Sequence, residues 1–338
     1  MACHKLFAIN KMRPADKHSK ILKLREEGGK GFYQKYHQQF VSVSCPACGS
    51  QGEDVFVKYG FNHKQCPSCL TLFCSPRPTE KLLFQYYSDW EAPFYWTNLL
   101  VETDINRKSL QYEPRAQELV NLLRARIGMC AELAVDLGAG SGAFALALKK
   151  TDFFKKVLAV DFSPNCVKAC MKQGLDAVQG SIEDLPSNSA DLITMNDLIE
   201  HIFDPKKFLR ACHRVLKPKG FISIATPNGQ GFDFKIFKDR TVNITPPEHI
   251  NYFNPKSIKI LLESIGYHII SSETPGILDT QIVIREVADN NYPLRDRNEF
   301  LHFLLMENPD EIINNFQRFL IDNKLSSHML IVAQKQKG

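Results

Sequence analysis

A glycine-rich turn that follows a buried apolar run constrains this chain more than any other feature. The run Leu133–Val135 ends at Asp136, glycines follow at positions 138, 140 and 142, and residues 143–150 favour helix. Glycine reaches positive φ without strain and lets a ligand approach the main chain closely. The pattern predicts a parallel strand, a tight ligand-binding turn and the start of a helix, the unit from which α/β sheets are built.

A second apolar run predicts another strand that ends in an acidic residue. Val157–Val160 ends at Asp161, 25 residues after Asp136. An acidic residue at this position suits a ribose, because its carboxylate can accept hydrogen bonds from both hydroxyls. The glycines are spaced G-x-G-x-G rather than the G-x-G-x-x-G of dinucleotide-binding turns. The turn alone is therefore unspecific, and the segments that follow it decide the ligand.

Three further segments follow the two strands in a fixed order. They are Gly180–Pro186, Asp191–His201 and His213–Asn228. Together with the glycine turn, this series resembles the motifs of class I S-adenosylmethionine-dependent methyltransferases, from about residue 86 to the C-terminus. The resemblance implies an α/β fold: a Rossmann-like seven-stranded sheet with helices on both faces, and S-adenosyl-L-methionine as the cofactor.

The resemblance also implies where the cofactor binds. Asp136 is expected to pair with the ammonium of the amino-acid tail, Asp161 to accept hydrogen bonds from the ribose hydroxyls, and Phe162 to lie on the adenine face. The glycine backbone approaches the tail and the ribose. The expected cofactor-binding residues are Asp136, Gly138, Ala139, Gly140, Gly142, Asp161, Phe162, Ser181, Ile182 and Asn196.

Two of these assignments have alternatives. Ser181 stands where the family commonly has an aspartate for the adenine amine, so Glu183 or Asp184 can instead supply the carboxylate. Asp161 also precedes a sequence that favours the start of a helix, with Ser163 as the N-cap and a proline in the first turn, so its role can be structural instead.

Two histidines are the candidate catalytic residues, His201 and His249. Methyl transfer from a sulfonium depends mainly on holding acceptor and methyl at near-attack distance. A hydroxyl acceptor also benefits from a base with a pKa near neutrality, which favours histidine. His201 follows Glu200 where related sugar methyltransferases have a base, although a Glu-His pair there can simply hold the loop. His249 lies in the proline-stiffened loop 245–253, where it faces the acceptor or is bonded within the loop.

Two C-x2-C pairs separated by 17 residues precede these motifs. The pairs are Cys45 with Cys48 and Cys66 with Cys69. Four thiolates can close a tetrahedron around one zinc ion and leave no open position, so the expected metal is structural. The spacing resembles zinc ribbons, with His63 surplus and Cys74 expected as a buried thiol. The ribbon and the segment 75–79 that follows it resemble the cysteine-rich leader of bacterial deoxysugar and surface-polysaccharide methyltransferases.

The positive charge lies at the N-terminus. Residues 1–44 carry nine Lys/Arg against three Asp/Glu, and the remainder carries 33 against 34. This basic arm either binds a polyanion such as nucleic acid or is a solvated, partly disordered leader, which we favour. No apolar run approaches the about 18–20 residues of a membrane helix, and no secretory signal begins the chain. A cytoplasmic protein without a membrane span is expected.

The predicted organisation has three parts. A basic arm at 1–44 and a zinc ribbon at 45–78 precede a methyltransferase domain at 79–338. A helical insertion at 275–325, before the last strand, either closes over the acceptor or forms an oligomer contact. The aromatic-rich stretch 86–96 either covers the cofactor or acceptor or is ordinary packing.

The expected function is methyl transfer to a small polar acceptor, with a sugar or nucleotide-sugar hydroxyl favoured. A zinc-ribbon RNA methyltransferase suits the basic arm, but the Asn-Pro-Pro-aromatic motif of base methylation is absent, since Asn196–Ile199 reads NDLI. Quinone-type O-methylation shares the same motifs. A non-catalytic cofactor-binding or zinc-scaffold protein is disfavoured by the intact cofactor motifs. The sequence leaves open the acceptor, the methylated atom and the oligomeric state.

Overall fold

The computed structural model describes residues 15–289 and 292–336. The first 14 residues of the predicted basic arm therefore lie outside the described residues. In chain order, the strands are β1 (Glu53–Lys58), β2 (Phe61–Gln65), β3 (Leu72–Cys74), β4 (Ala131–Leu137), β5 (Phe154–Asp161), β6 (Asp176–Gln179), β7 (Ala190–Asn196), β8 (Leu216–Pro227), β9 (Asn251–Tyr252), β10 (Tyr267–Glu273) and β11 (His328–Lys335).

The α-helices alternate with the strands through the central part of the chain. They are α1 (Ala15–Tyr36), α2 (Glu80–Asp89), α3 (Glu91–Arg107), α4 (Glu113–Ile127), α5 (Ala143–Lys149), α6 (Pro164–Lys172), α7 (Pro205–Val215), α8 (Phe232–Phe237), α9 (Pro255–Glu263), α10 (Asp279–Ala288), α11 (Leu294–Arg297), α12 (Glu299–His302) and α13 (Asp310–Asp322). A π-helical turn, Lys108–Tyr112, directly precedes α4. None of the described helices is both long and apolar enough to cross a membrane.

The main sheet has seven strands in the order β10-β11-β8-β7-β4-β5-β6. Strands β4 to β8 pair in parallel, and β11 enters antiparallel between β8 and β10. The apolar runs of β4, β7 and β8 are buried on both faces, as parallel strands between helix layers must be. The predicted α/β fold with a seven-stranded sheet is confirmed. Its topology brings the carboxyl ends of β4, β5 and β7 to one edge.

The ribbon segment does not form its sheet alone. Strands β1, β2 and β3 are antiparallel, and β9 pairs with β3 through Leu72 opposite Tyr252 and Phe73 opposite Asn251. Phe73 also packs in one apolar cluster with Ile222 of β8. The ribbon and the segment after β8 are therefore joined by both main-chain pairing and a shared core.

Residues 15–36 form the long helix α1, so the expectation of a partly disordered leader is wrong for this part of the arm. Ile21 and Phe32 are fully buried, and the Phe32 ring centroid lies 5.2 Å from that of Tyr86. A Cβ on Gly29 would lie 2.6 Å from the carbonyl oxygen of Pro246, so glycine there allows close packing. Gly29 thus lets α1 approach the rest of the chain closely.

The predicted insertion is helical and packs internally. Helices α10 to α13 share an apolar cluster that includes Val283, Leu294 and Leu305. The N-terminal side of α10 is tied to the start of β11, since Asp279 accepts hydrogen bonds from the Ser326 hydroxyl at 2.7 Å and from the Ser327 amide at 2.5 Å.

Candidate functional site

A cavity of about 530 Å³ opens at the carboxyl ends of β4 and β7, large enough for a small-molecule ligand. Its floor is the glycine turn after β4, and its walls come from α1, α3, α4, the loop after β8 and the insertion. Of the predicted site residues, the cavity is lined by Asp136, Gly138, Ala139, Gly140, Asn196, His201 and His249. The topology thus brings one end of the predicted cofactor site and both candidate catalytic residues to one space.

The glycine turn uses most of its own amide hydrogens. The N–H groups of Gly138 and Ala139 donate to the Val160 carbonyl at 2.9 and 3.2 Å, and that of Gly142 donates to the Ala139 carbonyl at 2.8 Å. Gly140 donates to the Asp161 carboxylate at 2.9 Å. A loop that cradles phosphates needs these donors free. The turn is therefore better suited to the close approach of an uncharged or cationic ligand than to a pyrophosphate.

Gly140 is the position where the ligand can approach most closely. Its φ is +54°, and a Cβ there would meet nothing within 4 Å. By contrast, Gly142 has a φ of +86°, and a Cβ would lie 2.7 Å from Leu175. Gly142 is thus required by packing, whereas Gly140 faces open space on the cavity floor.

Asp136 is the buried acid of the cavity, with 2% of its surface exposed. The Thr194 hydroxyl donates to its carboxylate at 2.7 Å. Burial raises the pKa of Asp136 to about 7, because the charged form loses its hydration. A ligand cation placed beside this carboxyl would restore the ionised form.

Arg115 is a cavity residue that the sequence analysis missed. Its guanidinium is 8% exposed and donates to the Asn196 side-chain oxygen at 3.0 Å. Burial lowers the pKa of Arg115, and the Asp197 charge opposes that shift. The signal available in the sequence was an arginine near the start of an amphipathic helix directly before β4.

The two histidines lie against each other, with ring centroids 4.7 Å apart. His201 Nδ1 lies 2.9 Å from the Glu248 carbonyl oxygen, and His249 Nδ1 lies 2.8 Å from the Asn243 carbonyl oxygen. The Tyr87 hydroxyl also lies 2.6 Å from His201 Nδ1. Since a carbonyl only accepts, we assign the hydrogen of each neutral ring to Nδ1, with the Tyr87 hydroxyl as a second acceptor beside His201, and each Nε2 then carries a lone pair. Burial lowers the pKa of both histidines, and the His201 charge lowers that of His249 further. His249 is thus both bonded within its loop and exposed to the cavity.

Two carboxylates lie next to the histidines. Glu200 is 1% exposed, and one of its oxygens accepts from the Thr226 hydroxyl at 2.9 Å. Burial and the Asp197 charge raise the pKa of Glu200 well above its ordinary value. Glu248 forms an ion pair with Arg25 of α1 at 2.8 Å, and the Arg25 guanidinium lies 4.7 Å from the Trp96 ring centroid. Helix α1 therefore reaches the site through a buried charge, which the sequence analysis did not anticipate.

Five predicted cofactor residues do not line this cavity. They are Gly142, Asp161, Phe162, Ser181 and Ile182. The two Asp161 carboxylate oxygens accept from the Gly140 and Ser163 amides, at 2.9 and 2.8 Å. Phe162 is 44% exposed, with its ring centroid 5.9 Å from that of Tyr87. Gly142 belongs to the glycine turn itself, and the other four residues lie at the ends of β5 and β6.

The Asp184 carboxylate, one of the two predicted alternatives to Ser181 for binding the adenine amine, already accepts hydrogen bonds from Ser181. Asp184 accepts from the Ser181 amide at 2.8 Å and from its hydroxyl at 3.2 Å, which closes a short capping box. Ser181 and Asp184 thus stabilise the turn after β6 together, and the Asp184 carboxylate retains lone pairs for another donor.

The four ribbon cysteines converge as the spacing predicts. Their sulfurs lie within 4.8 Å of one another, with Cys45 to Cys69 and Cys48 to Cys66 each at 3.5 Å. The two pairs lie in turns of the same geometry. In each turn the amide of the first cysteine donates to a carbonyl two residues after the second cysteine, and the carbonyl of the first cysteine accepts from the amide directly after the second. Zinc–sulfur bonds of about 2.3 Å fit this spacing with a small outward movement. The buried thiol Cys74 instead lies 3.4 Å from the His63 ring.

Comparisons with known proteins show which proteins this chain is similar to. Residues 135–224 match the family described as "Methyltransferase domain". The ubiquinone biosynthesis O-methyltransferases of Xanthomonas oryzae and Xanthomonas campestris are 31% and 30% identical over 119 residues, 32% of this chain. A solved S-adenosylmethionine-dependent methyltransferase from Mesorhizobium loti has a TM-score of 0.43 at 16% identity, covering 64% of this chain and 97% of that one.

The matched part is the strand-and-helix series that carries the glycine turn and the acidic strand tips. This chain spans about half the length of the Xanthomonas relatives, 48% in each case. Residues 135–224 therefore carry the sequence pattern of a methyltransferase domain on the α/β sheet described above.

Proposed function

We propose that this protein transfers the methyl group of S-adenosylmethionine to a hydroxyl of a small polar acceptor. One observation carries the proposal: the glycine turn, Asp136, His201 and His249 all line a single cavity. In such a space the sulfonium methyl and an acceptor oxygen can be held in line.

The proposed step is a displacement at the methyl carbon. The acceptor oxygen forms a bond to this carbon while the carbon–sulfur bond breaks, and the electron pair stays on sulfur as a neutral thioether. The hydroxyl proton must leave before or during the transfer. The paired imidazoles of His201 and His249 are the groups that activate the hydroxyl in this proposal, since each presents an Nε2 lone pair.

The proposed cofactor site spans the glycine turn. Asp136 pairs with the ammonium of the cofactor, and Arg115 is placed to pair with its carboxylate. Asp161 and Phe162 receive the ribose and the adenine, with Ser181, Ile182 and the nearby Asp184 at the outer end. We further propose that Cys45, Cys48, Cys66 and Cys69 hold a structural zinc ion.

The proposed acceptor is a sugar or nucleotide-sugar hydroxyl, because the cysteine-rich leader resembles that of sugar-pathway enzymes. A phenolic hydroxyl of a quinone precursor is the second candidate, since the matched relatives are ubiquinone biosynthesis O-methyltransferases. RNA is disfavoured, because several basic residues of α1 are engaged with acids. The pairs include Lys17 with Glu102, Arg25 with Glu248 and Lys30 with Glu26.

The test combines binding with product analysis. Calorimetry with S-adenosylhomocysteine should show one site per chain. Labelled S-adenosylmethionine should then mark a nucleotide-sugar, a catechol-type phenol or an RNA fraction from extract, and mass analysis identifies the acceptor. Absence of binding by the folded, zinc-loaded chain would refute the enzymatic proposal, and label only in RNA would refute the small-molecule acceptor.

Cofactor binding should depend on pH through Asp136. Its pKa of about 7 leaves it mostly neutral at pH 6, and only the carboxylate attracts the ligand ammonium. Binding therefore releases a proton below pH 7, and the affinity for S-adenosylhomocysteine should rise about tenfold from pH 6 to pH 8. Calorimetry in buffers of different ionisation enthalpy measures both the affinity and the proton release.

A ligand without the amino-acid tail provides the control for this pH dependence. 5′-Methylthioadenosine carries the same nucleoside and no ammonium, so its affinity should stay constant over the same range. Asp136→Asn should weaken S-adenosylhomocysteine and remove its pH slope. An equal slope for both ligands would show that Asp136 does not meet the ammonium.

A further inference from the structure

Three metal-binding side chains converge at the acceptor end of the cavity. One donor atom each from Glu200, His201 and His249 lie within 4.8 Å of one another. They come from two separate segments, the turn after β7 and the loop after β8, and the cavity is lined by all three. The arrangement is therefore a product of the tertiary fold and not of one local motif.

The histidines are held as metal ligands usually are. Each Nδ1 is fixed by a backbone carbonyl, that of Glu248 for His201 and that of Asn243 for His249. This bonding fixes the ring orientation and directs the lone pair to Nε2, and the same second contact supports most histidines that bind metals. The side chains are thus pre-oriented before any ligand arrives.

Glu200 supplies an independent indication. Its side chain is 1% exposed, and its Oε1 has no hydrogen-bond partner among the described residues. An unpartnered buried carboxylate oxygen is costly. A buried carboxylate without a partner on one oxygen, grouped with two imidazole rings, leaves a place for a cation.

We infer that Glu200, His201 and His249 bind a divalent cation, and that the acceptor oxygen binds the same ion as a further ligand. This inference rests on the proposed function, because the cation lies where the acceptor is proposed to bind. Metal–ligand bonds of about 2.1 Å require the three donors to move closer by about an ångström. Two imidazoles and one carboxylate with open positions suit first-row divalent ions such as Mn²⁺, Fe²⁺ or Zn²⁺.

The cation defines how the hydroxyl is activated. An oxygen bound to a divalent ion loses its proton to solvent more readily, because the ion stabilises the resulting anion and so lowers the pKa of the bound hydroxyl. The alkoxide or phenolate then attacks the methyl carbon, and sulfur keeps the electrons of the broken bond. With the ion bound, the two histidines activate the hydroxyl as ligands of the ion, and solvent rather than an imidazole takes the proton. Open positions on one ion also favour an acceptor with two adjacent oxygens, such as a vicinal diol or a catechol.

The test is a Mn²⁺ titration of the full, zinc-loaded chain, followed by electron paramagnetic resonance of the free ion. Mn²⁺ prefers oxygen and nitrogen over thiolate ligands, so the ribbon should not take it up. One Mn²⁺ per chain is expected. Glu200→Gln and His249→Asn should each weaken it at least tenfold, whereas Glu263→Gln and His268→Asn, outside the cavity, should leave it unchanged.

Binding of S-adenosylhomocysteine by every variant shows that each is folded. Mn²⁺ affinity unaltered by both cavity variants would overturn the inference. The absence of Mn²⁺ uptake, with metal analysis finding only the ribbon zinc, would overturn it too, and the methyltransferase proposal would stand if the cofactor still bound. A second zinc per chain that Glu200→Gln loses and Glu263→Gln keeps would support the site directly. Failure of cofactor binding with intact Mn²⁺ uptake would instead refute the proposed function alone.

Discussion

Replacing Cys69 with serine should unfold the ribbon and abolish methyl transfer, although Cys69 does not line the cavity. Structural zinc contributes about 10–16 kcal/mol of apparent binding free energy in small zinc domains, and most of it is lost with one thiolate. The loss should spread, because the Cys69 carbonyl accepts from Asn254 at 2.9 Å and β3 pairs with β9. Strand β9 directly follows His249, so the acceptor end of the cavity should lose its geometry.

Zinc content, thermal unfolding and limited proteolysis measure this effect. The variant should lack zinc, unfold at a lower temperature and be cleaved within 45–78. Cys130→Ser is the matched control, since this cysteine is exposed and lies outside the cluster. A Cys69→Ser protein with full zinc content, or with wild-type stability and activity without zinc, would contradict a structural role for the metal.

The parts of the fold that follow from local sequence were predictable. Apolar runs ending at Asp136 and Asp161 define the sheet edge, and the cysteine spacing predicts the thiolate cluster. Both signals depend on residues close together in the chain, where strand period, turn geometry and ligand spacing act directly.

The contacts that complete the site join distant segments and leave no local pattern. Helix α1 contacts Glu248 through Arg25, 223 residues away in the chain. Strand β9, which follows β8 in the chain, pairs with β3 of the ribbon sheet. Gly28, Gly29 and Gly31 indicate disorder when taken alone, yet they remove side chains where α1 meets Tyr86, Tyr59 and Trp90. A glycine in a helix is unfavourable by itself, so only its packing partners reveal its purpose.

Replacing Arg25 with methionine should destabilise the protein by about 3–5 kcal/mol, because it leaves Glu248 buried without its cation. The Arg25 and Glu248 side chains are 11% and 3% exposed, and Arg25 Nε and Nη2 both approach one Glu248 oxygen, at 3.0 and 2.8 Å. The Glu248 carbonyl also accepts from His201, so a displaced Glu248 should disturb the ring that we propose to face the acceptor. We expect a raised KM for the acceptor and a weaker effect on S-adenosylhomocysteine affinity. Denaturant unfolding and steady-state kinetics measure the two effects.

Lys30→Met is the matched control on the same helix. Lys30 pairs with Glu26 at 2.6 Å, but both side chains are at least half exposed, and such pairs contribute about 0–1 kcal/mol. The double variant Arg25→Met/Glu248→Met should regain most of the stability, since apolar replacement of a whole buried pair is often neutral. It should not regain the acceptor KM if Glu248 positions His201. Equal losses in Arg25→Met and Lys30→Met would show that the buried pair does not secure α1 to the site.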